Sequence, residues 1–111
     1  MLKNLVLCLC VLEVAAFSLD DTVGLREYKS NCKICHGAPY KASTMMMSEE
    51  WEALFANSQK KLKILHAKDK KASEVLNGAK FNGDAFLILR FLKDNSSDSG
   101  KVRGCNGTSC G

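Results

Sequence analysis

Apolar positions along the chain recur with helical period, and no stretch alternates in the manner of a strand. Asp20 and Asp21 offer caps and negative charge to the start of a first helix, expected over about 22–35. On it Gly24, Tyr28 and Cys32 recur at i, i+4 and i+8 and share one face. His36-Gly37-Ala38-Pro39 stops that helix, since Gly and Pro both interrupt a helical backbone. Residues 40–47 read as a loop ending in Met45-Met46-Met47. Ser48 then caps a second helix with Glu49, Glu50 and Glu52 near its start, and Trp51, Leu54 and Phe55 form its apolar face. Leu62, Ile64 and Leu65 carry apolar character on toward His66. A short helix is expected from Lys71 to Leu76, ended by Asn77-Gly78. The last helix, capped by Asn82 or Asp84, spans Ala85 to Lys93. Phe86, Leu87, Ile88, Leu89, Phe91 and Leu92 make it apolar nearly all round, which demands burial on more than one side. From Asn95 the composition turns to Ser, Gly, Asn and Thr, that of a loop or tail. The pattern predicts an all-α fold.

Residues 1–18 stand apart. Lys3 gives a charged start, Leu5 to Ala16 an apolar stretch interrupted by Glu13, and Ala16-Phe17-Ser18 a small-residue cleavage site. This is the layout of a secretory signal peptide, cut after Ser18, which would deliver the remainder to the periplasm. The stretch is short for a bilayer span, and an N-terminal membrane anchor is the alternative. The expected organisation is a signal at 1–18, one domain at 19–94 and a tail at 95–111, because 111 residues of ordinary apolar content hold one core. Removing the signal takes away one Lys and one Glu, so the formal charge of +4 persists. That is mildly basic and not the footprint of a nucleic-acid binder. The lysines gather in Lys60-Lys61-Leu62-Lys63 and Lys68-Asp69-Lys70-Lys71. Such runs make a solvated helix face, or a docking patch for an acidic redox partner, where charge raises encounter rate more than affinity.

The most specific chemistry lies in Cys32-Lys33-Ile34-Cys35-His36. Cys-x-x-Cys-His is the attachment signature of c-type haem. The spacing lets both thiols reach the two vinyl groups of haem from one helical turn, and the next residue offers an imidazole to the iron. A thioredoxin-like redox pair wants a βαβ context that the pattern lacks. A zinc site built from Cys32, Cys35, Cys105 and Cys110 would leave His36 and the export signal without a role. Domains near this size bury only about 60% of their unfolded surface, so a covalent haem would supply an apolar body for the helices to pack on. Cys8 and Cys10 depart with the signal, while Cys105 and Cys110 are placed for a short disulfide loop in an oxidising compartment.

With the haem motif preceded by Gly24 and Tyr28 at four-residue steps, the chain resembles the class I cytochromes c, small exported monohaem proteins of bacteria. The resemblance covers about residues 22–93. It implies an all-α, cytochrome c-like fold in which the first and last helices cross closely at the Gly, against Ile88 and Phe91. It implies one haem c held by Cys32 and Cys35, with His36 as the proximal iron ligand. It also implies a one-electron carrier between a donor and an acceptor protein, with no catalytic residue and no small-molecule substrate. The family's distal ligand is usually a Met before the last helix, and this chain has no Met after Met47. His66 stands at the corresponding place in the helix order and is the first candidate. Met45, Met46 or Met47 would serve if the loop after Pro39 wrapped the haem edge, for which the chain is long enough at about 3.3 Å per extended residue. Met/His ligation would give the higher potential, bis-His the lower. Two other functions remain open: a ligand-binding or peroxidase-like haem protein with an open distal site, and an electron-transfer subunit of a larger redox complex.

Overall fold

Six helices and no strand make up residues 20–101, the part of the chain that the computed structural model describes. They are α1 (Leu25–Asn31), α2 (Lys33–His36), α3 (Pro39–Ser43), α4 (Ser48–Leu65), α5 (Lys70–Leu76) and α6 (Ala79–Asp94). The expected signal peptide with Cys8 and Cys10, and the expected Cys105–Cys110 disulfide, lie outside the described residues. No helix among the described residues is long and apolar enough to cross a membrane.

The fold is organised around α6, which packs against α1, α3, α4 and α5. Its buried residues Phe81, Ala85, Ile88, Phe91 and Leu92 follow helical spacing and form one broad stripe. Tyr28 of α1 and Tyr40 of α3 meet Phe91 with ring centroids 5.8 and 5.5 Å apart. Phe55 of α4 meets Phe81 at 6.5 Å. Trp51 and Leu76 complete the buried cluster. Each such side chain contributes roughly 1.5–3 kcal/mol on full burial. The burial of α6 on several sides matches its sequence, except at Phe86, which is 76% exposed.

Several boundaries differ from the sequence pattern, each for a local reason. Asp20 caps a turn rather than the helix, accepting from Thr22 N at 3.0 Å and Thr22 Oγ1 at 2.6 Å. The helix itself starts after Gly24, at φ 88°. Cys32, at φ −116°, separates α1 from α2, yet Cys32 N donates to Tyr28 O and His36 N to Cys32 O, so the helical path continues. Gly37, at φ 72°, ends it in a conformation that favours glycine. The expected loop at 40–47 contains α3, because Pro39 sits at its first position, where a missing N–H is no loss. Met47, not Ser48, caps α4, with its N–H donating to Glu50 Oε2 at 2.8 Å. α6 begins at Ala79, ahead of the expected caps. Asn82 and Asp84 lie inside it, and Asp84 accepts from Lys80 Nζ at 2.6 Å and Asn31 Nδ2 at 3.0 Å.

α4 is two helical pieces. Ala56 is extended, and Asn57, Ser58 and Gln59 are left-handed at φ 54°, 54° and 59°. Such residues cost roughly 1–2 kcal/mol each in a non-glycine chain. The turn separates the piece bearing Trp51 and Phe55 from the piece that leads to His66.

Packing also runs past Asp94, where the composition becomes tail-like. Asn95 and Ser96 are buried, and Asn95 Nδ2 donates to Asp21 O at 2.9 Å and Phe91 O at 3.0 Å. Ser97 N donates to Met46 O at 3.0 Å. Short polar side chains here satisfy carbonyls at the end of α6. Asp98 closes the segment, accepting from Ser48 N at 2.8 Å and Ser96 Oγ at 2.7 Å. Those bonds, Ser96 first, hold its carboxyl below the usual range. A carboxyl with a lowered folded pKa stabilises above its unfolded value, near 3.8, and loses that contribution as pH falls through the folded one. Asp98→Asn is therefore expected to lower the unfolding midpoint at pH 7 and flatten its fall in acid. Urea titrations at pH 7 and pH 3 check this, and an unchanged acid slope contradicts it.

Candidate haem-binding site

The site begins with the backbone of α1 and α2, which turns Cys32 to a half-buried position and leaves Cys35 and His36 exposed. The two thiols are free. Burial, then the neighbouring Cys35, pushes the Cys32 thiol up to about 11. Redox-active and metal-binding cysteines are distinguished by the opposite shift, toward thiolate at neutral pH. Among the described residues no group of three or more His, Cys, Asp or Glu is placed to hold a metal ion. Cys105 and Cys110, the other half of the zinc alternative, lie outside the described residues.

Tyr28 fixes the far end of the motif. Its ring is buried against Phe91, and its hydroxyl donates to Gly37 O at 3.1 Å, directly after His36. Burial, then Cys32, raises the phenol pKa, so this donor stays protonated. Here the shared face of Gly24, Tyr28 and Cys32 has a purpose visible in the packing: Gly24 lies on α6, Tyr28 fills the core, and Cys32 packs partly against it.

The chain brings His66 to His36. Their ring centroids lie 5.9 Å apart with an interplanar angle of 74°. His66 caps the end of α4, and its Nδ1 lies 2.7 Å from Leu62 O. A carbonyl accepts, so Nδ1 carries a proton, and in the neutral ring Nε2 is then the nitrogen with the lone pair. Metal-ligating histidines are commonly oriented this way. The methionine candidates are placed otherwise. Met46 packs against the core, while Met45 and Met47 are exposed on the surface.

These residues fit a haem on three grounds. The two imidazoles lie close enough that both could be ligands to one iron, a metal–imidazole bond being about 2 Å long. Two free thiols precede His36 at the attachment spacing. The segments bearing both histidines carry uncovered apolar side chains: Ile34 is 85% exposed, Ile64 62% and Leu65 67%. A haem held there would offer such side chains apolar cover.

Trp51, by contrast, is a core residue. Its Nε1 donates to Ser43 O at 2.9 Å, which occupies the indole N–H that a haem propionate would need. An open depression lined by Thr22, Leu25, Arg26, Lys29 and Ser30 shares no residue with the histidine pair. The pattern alone missed the Leu62 carbonyl, although its signal was present: Leu62 precedes His66 by one helical turn. No family model, curated protein or solved structure matches this chain.

Proposed function

We propose that the chain is an exported monohaem c-type cytochrome that carries single electrons between larger redox proteins. Its haem would be held by Cys32 and Cys35, with His36 and His66 as axial ligands. The observation that carries this reading is the approach of the two imidazoles, with His66 oriented by Leu62 O. When bound, the haem supplies the one-electron couple.

The protein's own contribution is positional. Cys32, as a neutral and half-buried thiol, lacks the thiolate character of a redox-cycling cysteine. Tyr28 and Gly37 hold the turn that presents His36. With both imidazoles held in place, the chain's own residues would not need to rearrange when the haem gained or lost an electron, so neither a general base nor a substrate pocket is called for. Lys60, Lys61, Lys68, Lys70 and Lys71 are exposed near the His66 end and suit an acidic partner, free or membrane-bound.

Carbon monoxide tests the distal assignment. The reduced native protein is expected to bind it slowly or not at all at neutral pH, and its oxidised form to lack the long-wavelength sulfur-to-iron band. His66→Ala is expected to bind it rapidly. Fast binding by the native protein would instead favour a ligand-binding or peroxidase-like haem protein, and a sulfur-to-iron band would reassign the distal ligand to Met45, Met46 or Met47.

A further inference from the structure

Residues 60–68, which deliver His66, are bounded by two turns: left-handed Asn57–Gln59 on one side and the Asp69 cap of α5 on the other. Lys60, Lys61, Ile64, Leu65, Ala67 and Lys68 are all exposed, so little burial fixes this piece. Segments with few buried contacts open at low cost. Leu62 packs partly against the core. The polar tie is Lys63, whose Nζ donates to Asn82 Oδ1 at 3.0 Å across to α6. Asn82 is itself held in register: its Nδ2 donates to Gly78 O at 2.6 Å and more weakly to Leu76 O at 3.4 Å. Those two carbonyls fix the amide orientation and leave Oδ1 as the acceptor for Lys63. One amide therefore joins the His66 segment, the end of α5 and the first turns of α6.

We propose that Asn82 is the positioning residue for His66, docking residues 60–68 onto α6 through Lys63 with the left-handed turn as pivot. This role rests on the haem reading above. A docked segment keeps His66 beside His36, and an undocked one withdraws it, so the docked fraction sets how readily an outside ligand competes.

The test uses the haem-loaded protein and carbon monoxide as the probe. Asn82→Ala and Lys63→Met each remove one partner at positions that are not buried, so folding is preserved. Both are expected to raise the carbon monoxide binding rate about fivefold, the scale of losing one modest hydrogen bond. Their combination should add little, since they break the same tie. Lys63→Arg keeps a donor for Asn82 Oδ1 and leaves the Asn82 amide in register, so it should keep the native rate. Amide hydrogen exchange over residues 60–68 should rise in the first two variants and not in the third, a readout independent of iron chemistry. Native rates and native exchange in Asn82→Ala, with His66→Ala still binding rapidly, would overturn the proposal and leave the haem reading intact. A native protein without haem would overturn both.

Discussion

Gly24→Ala is expected to destabilise the protein by about 3 kcal/mol, the combined scale of a left-handed alanine and an overpacked contact. Gly24 sits at φ 88°, and a Cβ there would lie 1.9 Å from Leu87 O and 2.9 Å from Phe91 Cβ. The obstacle is the backbone of α6, which cannot rotate away as a flexible side chain could. Relief would require α1 to lift from α6, and Tyr28 would then lose its contact with Phe91. A loss of that size corresponds to roughly 15 °C in the melting temperature of a domain this small. Gly83 is the control. It lies in α6, where a Cβ would meet nothing within 4 Å, so Gly83→Ala should stabilise by about 0.5–1 kcal/mol. Thermal melts of both variants decide it, and a native midpoint for Gly24→Ala would contradict the close crossing.

Replacing Cys32 and Cys35 together with Ala is expected to abolish covalent haem and, with it, most of the helical signal. The reason is scale. The buried cluster is small, with Tyr28, Trp51, Phe55, Phe81, Ile88 and Phe91 as its main bodies, and domains of this size are marginal without a further apolar partner. Ile34, Ile64 and Leu65 stay exposed outside that core. Far-ultraviolet circular dichroism of the double variant checks this. A native-like spectrum would mean that the helices need no haem.

The helical class was legible because Gly24, Tyr28 and Cys32, and again Trp51, Leu54 and Phe55, recur at helical spacing, a signal that survives a boundary error. The close approach at Gly24 came only from the family resemblance, which set it against Ile88 and Phe91; its partner on α6 is the backbone of Leu87 with Phe91, while Ile88 is buried in the core. Boundaries were less legible. Ser48, Asn82 and Asp84 look like caps, but their side chains and N–H groups serve tertiary bonds that no local pattern reveals. The kink at Asn57–Gln59 contains no glycine or proline, so nothing in the residue types announces it. His36 was legible from its motif. The approach of His66 was open from sequence, because choosing it over the methionines depends on where the end of α4 lands.

Covalent haem at Cys32 and Cys35 is tested most directly on the mature protein, made where c-type haem attachment takes place, by its absorbance spectrum and the mass of the peptide containing Cys32 to His36. The expected result is a red protein with a low-spin spectrum in both oxidation states and a peptide heavier by one haem. A colourless protein whose peptide has its unmodified mass would contradict it.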